Sequence, residues 1–152
     1  MTTVVFVDST TLIYPLDRTN LTKKAACEAW LRILRDQDRL TFSPQVLNET
    51  YWAVMRKPAF AHARAAVRAY LHDYAPWVKA PLGAETLEGA FALEDRYGVR
   101  FWDALLLASA NAADCDYFLS EDLNDGQAYG RVTVINPFRH SVQDVLGPPV
   151  PS

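Results

Sequence analysis

Four apolar residues, Val4-Val5-Phe6-Val7, run straight into Asp8-Ser9-Thr10, and a carboxylate at that point restricts the fold more than any other stretch of the chain. A β-branched and aromatic run with no polar residue marking a solvent side predicts a strand buried on both faces. Such a strand belongs to a sheet with helices above and below it. In open α/β sheets ligands bind in the crevice beyond the carboxyl ends of the strands, so Asp8 is expected on the rim of a crevice.

Downstream, Leu12 to Asn20 reads as a connection containing Pro15. A helix from about Thr22 follows, with Ala26, Ala29, Trp30, Ile33 and Leu34 on one face and Lys23, Lys24, Glu28, Arg32 and Arg35 on the other. Ser43-Pro44 predicts an N-cap serine and a proline at the first helical position. In the helix it opens, Val46, Leu47, Thr50, Tyr51, Val54 and Met55 form the inward stripe, with Glu49 beside it. Arg56-Lys57-Pro58 ends that helix. Another carries the stripe Phe60, Ala63, Val67, Tyr70, Leu71 and Tyr74, and Trp77-Val78 between prolines suggests a short strand. Glu85 to Tyr97 predicts a helix stopped by Gly98. Phe101 to Asp114 is apolar around almost its whole circumference, as a central buried helix is, yet it contains Asp103 in its first turn. Tyr117 to Ser120 is a short strand running into Glu121-Asp122, Val132 to Ile135 is the last strand, and a Pro-rich tail begins after Pro137. Strands alternating with helices imply parallel βαβ units, hence an α/β fold with a twisted, mostly parallel central sheet.

Four carboxylates therefore stand out by context: Asp8, Glu49, Asp103 and Asp122. No partner cation is apparent in sequence beside any of them. Like charges gathered in one cleft repel, so they persist together only with protons or a metal ion, and hard oxygen donors suit Mg²⁺ or Mn²⁺. Carboxylate-held Mg²⁺ suggests phosphoryl transfer by a metal-activated water. Each residue also has a plainer reading: Asp8 as an N-cap or turn residue, Glu49 as a solvated helix residue, Asp103 as a helix cap, Asp122 as an Asx-turn residue. Cys27 and Cys115 form no C-x-x-C and have no nearby pair of histidines, which argues against a thiol metal site and suits a reducing cytoplasm. No apolar run reaches the ~18 residues of a membrane span. A formal charge of −3 exerts no general pull on nucleic acid, but without the four acids it becomes +1. Arg56, Lys57, Arg64 and Arg68 are candidate phosphate contacts.

The runs Phe6-Val7-Asp8-Ser9-Thr10, Ser43-Pro44-Gln45-Val46-Leu47-Asn48-Glu49, Tyr97-Gly98-Val99-Arg100-Phe101-Trp102-Asp103-Ala104 and Leu119-Ser120-Glu121-Asp122, closing on Val134-Ile135-Asn136-Pro137-Phe138, together resemble a PIN domain. More narrowly they resemble the VapC toxins of bacterial toxin–antitoxin pairs. The resemblance spans Val4 to Phe138 and implies a PIN domain over residues 1–138, with 139–152 as a tail. It further implies a three-layer α/β/α fold, a Mg²⁺-dependent endoribonuclease site, a VapB-type antitoxin partner and a homodimer. By motif, Asp8, Glu49, Asp103 and Asp122 take the metal-site positions. Thr10 stands where the family often has asparagine, so a hydroxyl would support the site there. Asp125 and Glu121 lie close enough to Asp122 to compete with it.

Two rivals share some of these features. A phosphatase or phosphoacceptor domain also places an aspartate after its first strand, but the haloacid-dehalogenase type wants a second Asp where Thr10 stands. A receiver domain wants an acidic pair before that strand's end and a late lysine, and neither is evident. A non-catalytic module whose acidic cleft binds a basic partner would differ by lacking metal-dependent cleavage.

Overall fold

The computed structural model describes residues 2–148. Strand β1 spans Val5–Val7, and all three of its side chains are fully buried although neighbours on a strand point to opposite faces. Both faces of the sheet are therefore covered at β1. The other strands are β2 (Leu40–Thr41), β3 (Tyr117–Leu119), β4 (Ala128–Tyr129) and β5 (Val132–Ile135). They lie in the order β2-β1-β3-β5-β4, parallel except for the β4–β5 edge pair. The helices are α1 (Ser9–Ile13), α2 (Leu21–Asp36), α3 (Pro44–Arg56), α4 (Arg64–Tyr74), α5 (Ala84–Tyr97), α6 (Phe101–Ala112) and α7 (Val142–Leu146). This is the expected α/β/α sandwich around a mostly parallel sheet.

Parallel pairing needs a long crossover between strands, and the helices supply it. Register is fixed by the apolar pairs: Phe6 lies opposite Phe118, and their rings stack with centroids 5.2 Å apart and planes 7° from parallel. Trp30, Leu31 and Leu34 of α2 and the run Ala104 to Ala110 of α6 complete one core. A smaller cluster of Val54, Phe60 and Val67 joins α3 to α4.

Four local expectations are corrected. The stretch after Asp8 is helical rather than a connection: α1 starts at Ser9 and passes into a 3₁₀ turn over Tyr14–Leu16. Phe60 lies in a 3₁₀ turn that ends at a left-handed Ala61, and α4 begins only at Arg64. Trp77-Val78 is no strand; a 3₁₀ turn occupies Ala75–Trp77, and a single parallel bridge joins Val78 to Phe42. β4 is an addition. The segment beyond Pro137 contains α7, opened by a Ser141–Asp144 capping box, with Val142 buried; the last tail residues, 149–152, lie outside the described residues.

The Trp30 indole N–H bonds the carbonyls of Pro137 (3.1 Å) and His140 (3.2 Å), tying α2 to the chain after β5. Trp30→Phe removes the indole N–H and part of a buried ring, stranding those carbonyls, so urea unfolding should show a loss of at least about 1–3 kcal/mol. Hydrogen exchange should quicken in 137–146 before it does in β1. Unchanged stability would show that the indole N–H is dispensable.

Candidate active site

In the parallel register Val7 faces Leu119, so Asp8 and Ser120 leave the sheet side by side at one rim. Asp8 is the N-cap of α1, with extended backbone, and its Oδ1 accepts from the Thr11 N–H (3.3 Å), Thr10 Oγ1 (2.9 Å) and Thr11 Oγ1 (3.1 Å). The cap reading and the site reading are thus compatible, because all three bonds fall on one oxygen. Thr10 supplies the supporting hydroxyl. Asp8 is only 6% exposed, and burial pushes its pKa up to about 7; the threonine bonds oppose that rise and the charge of Asp122 adds to it.

The other three acids come from separate elements. Glu49 sits in the second turn of α3, half-buried, with Oε1 shielded from water and lacking any hydrogen-bond partner. Burial raises its pKa, the Gln45 amide one turn back opposes, and the charge of Asp103 adds. Asp103 lies in the first turn of α6, where its Oδ2 is 3.5 Å from Arg100 Nε. Asp122 follows β3, its N–H bonded to Ser120 Oγ at 3.1 Å. Its pKa is raised by partial burial and then by Glu121 and Asp103, against the pull of Arg100 and Lys23. The fold thus links the four in a chain of repulsions, Asp8 to Asp122 to Asp103 to Glu49.

Their chemistry is that of a hard-cation site: carboxylates and hydroxyls, with an orphaned buried oxygen on Glu49 and no thiol or imidazole among the four. Among the described residues no three Asp, Glu, His or Cys side chains converge tightly enough to grip an ion as they stand. Donor type and charge fit Mg²⁺ or Mn²⁺.

The expectation that no cation stands near these acids is corrected by Arg100, three residues before Asp103, and by Lys23, brought from α2. An i,i+3 pair is visible in sequence; Lys23 is not, since only the fold delivers it. The two competing acids are otherwise engaged. Glu121 accepts from Tyr14 OH on one oxygen and pairs with Lys23 Nζ (2.7 Å) on the other. Asp125 accepts from the Asn136 N–H (2.8 Å) and meets His140 Nε2 (2.8 Å), and these bonds hold its pKa below the usual carboxylate range. Sequence reasoning missed Thr11, Ser120 and Gln45 as supports. Ser43 holds the N-cap position of α3, yet its buried hydroxyl makes no cap bond and has no partner.

A parallel α/β/α domain with Asp8 and Asp122 at the carboxyl ends of β1 and β3 holds these acids where open α/β sheets bind their ligands. The PIN domain family model matches residues 5–127, and the chain belongs to that family. Among solved structures, the fold resembles a chain in the crystal structure of VapBC2 from Rickettsia felis bound to a DNA fragment from its promoter. The TM-score is 0.60 at 12% identity, over 86% of this chain and 96% of that one. No curated protein sequence matches.

Asp8 generates a pH prediction. Its folded pKa, about 7, exceeds the ordinary 3.8, so between those values the folded state holds a proton that the unfolded chain has released. Stability should fall as pH rises through that window, by on the order of 4 kcal/mol for the whole interval. Asp8→Asn removes the ionisation, so in metal-free urea melts the variant should exceed wild type at pH 8 and the margin should shrink by pH 5. A margin independent of pH would contradict the raised pKa.

Proposed function

We propose that the protein is a Mg²⁺- or Mn²⁺-dependent endoribonuclease and the toxin half of a VapBC-type toxin–antitoxin pair. What supports this reading is a PIN-domain sheet with Asp8 at the end of β1 and Asp122 after β3, beside the helices that carry Glu49, with its buried unpartnered oxygen, and Asp103. These four are the proposed metal ligands. A bound divalent cation supplies charge to polarise a phosphodiester and to lower the pKa of a water. The chain's own residues do the rest. Thr10 and Thr11 fix Asp8 through Oδ1, Ser120 fixes the Asp122 loop, and Gln45 flanks Glu49. Arg100, 85% exposed and in only a long contact with Asp103, would be available to a substrate phosphate. Water, losing a proton, would attack phosphorus, the P–O bond to one ribose oxygen would break, and that oxygen would leave with a proton, so RNA is cut with no covalent bond to the protein. A cytoplasmic setting suits an RNA substrate and two free buried thiols. No helix among the described residues is long and apolar enough to cross a membrane.

Cleavage should vanish in EDTA and return with Mg²⁺ or Mn²⁺. Asp122→Asn should lower kcat by roughly 10²-fold or more, the scale seen when one charge-stabilising group is lost. Asp125→Asn should instead leave kcat within a few-fold and lower the melting temperature, because Asp125 holds Asn136 and His140. Undiminished cutting in EDTA would overturn the metal-dependent reading.

A partner site is part of the proposal. Leu47, Tyr51, Trp52, Arg68, Leu71 and His72 line a groove of about 580 Å³ between α3 and α4, with an apolar floor suited to a segment of a VapB-type antitoxin. The toxin would work as a homodimer. The neighbouring small open reading frame should copurify and suppress cleavage, and Leu71→Asp should weaken that pairing while sparing the activity of free enzyme. A partner that binds Leu71→Asp as tightly as wild type would exclude this groove.

A further inference from the structure

Beside Glu49 lies a second cleft, of about 600 Å³, lined by Gln45, Glu49, Trp52, Leu82, Trp102 and Leu105. We infer that it is a nucleobase subsite, in which Trp52 and Trp102 stack an unpaired base of the RNA next to the phosphodiester that is cut. The inference rests on the ribonuclease reading above and deepens it.

The two indoles are 64% and 65% exposed, the largest side chains the protein leaves in water, and they share one cleft. α3 explains half of the arrangement: Gln45, Glu49, Trp52 and Arg56 recur at helical spacing along one face, from buried amide to exposed guanidinium. Arg56 lies over the Trp52 ring at 5.5 Å. α6 supplies the mirror of it, Arg100 and Trp102 flanking the start of the helix beside Asp103. Each indole of the cleft thus belongs to a helix that also carries or adjoins an exposed arginine, Arg56 over Trp52 and Arg100 two residues before Trp102. A single-stranded nucleic acid offers the complement, phosphates alternating with flat apolar bases, and indole–base stacking tolerates any base.

A second copy of this chain is the other candidate occupant, since exposed tryptophans also suit a dimer. Two features favour the base. Arg56 and Arg100, both exposed, place positive charge beside the two indoles, which suits the phosphates flanking a stacked base and opposes burial of this face against a second apolar surface. Gln45 is itself 6% exposed, and its Nε2 is bonded to the Trp102 carbonyl at 3.4 Å, so the amide is tethered to the residue that would stack.

The test uses a single-stranded oligoribonucleotide that wild type cuts and versions with an abasic residue at each position flanking the cut. One abasic position should lower wild-type kcat/KM roughly tenfold or more, the scale of a lost stack. Trp102→Ala and Trp52→Ala should lose a similar factor on the intact oligomer and nothing further on that abasic one, and Trp→Phe should recover most of it. Wild type indifferent to every abasic position, or variants that lose equally on intact and abasic RNA, would overturn the subsite while leaving the nuclease standing. Conversion of a dimer to monomers by either alanine variant, seen in sedimentation, with abasic substitution harmless, would assign the face to a second copy. If wild type cuts no RNA with metal present, this inference and the ribonuclease reading fall together.

Discussion

The burial of Asp8 is the constraint on which the rest of the site depends. A carboxylate at the end of a strand sealed on both faces is costly to ionise, and burial is the largest influence on its pKa. The local chain compensates as far as it can: α1 begins at the next residue, so its free N–H and two threonine hydroxyls reach Oδ1. That support leaves the repulsion with Asp122 unanswered. A proton answers it at moderate pH, and a divalent cation is the proposed answer at higher pH. Folding and function are coupled through this one side chain, since whatever neutralises Asp8 also stabilises the sheet end that carries it.

The neighbouring acids divide by how their charges are met. Asp125 and Glu121 are locked into local networks, one holding the loop to Asn136 and His140, the other tied to Tyr14 and Lys23. Among the described residues Asp122, between them in sequence, has only its backbone bonded. Glu49 keeps a dry, unpartnered oxygen, and Asp103 has a long contact to an arginine that is mostly in water. An exposed pair of that kind contributes little to stability, so Arg100 is easily released.

Much of this was legible in sequence because it depends on sharp local contrasts. The buried strand ending at Asp8, the proline opening α3 and the apolar circumference of α6 are decided by neighbours in the chain. The features missed are decided elsewhere. α1 has only five residues, three of them Ser or Thr with poor helix propensity, and exists because Asp8 caps it and Leu12 is buried. β4 is two residues held by antiparallel pairing to β5 and by Gly130, whose positive φ makes the turn and whose N–H meets Tyr97 OH. Trp77-Val78 has strand composition, but the prolines around it leave room for one bridge. Lys23 reaches Glu121 from 98 positions away, a contact no spacing rule contains. Trp102 falls in the run expected to form a buried helix, yet its ring is in water.

The central claim is that these four acids bind one kind of ligand together. Crystals grown with Mn²⁺ and measured at its absorption edge test it most directly. An anomalous peak is expected at the rim of β1 and β3, within coordination distance of an oxygen of Asp8 and of at least one of Glu49, Asp103 and Asp122. No such peak at Mn²⁺ concentrations that support RNA cleavage, or one coordinated by Glu121 or Asp125 instead, would contradict it.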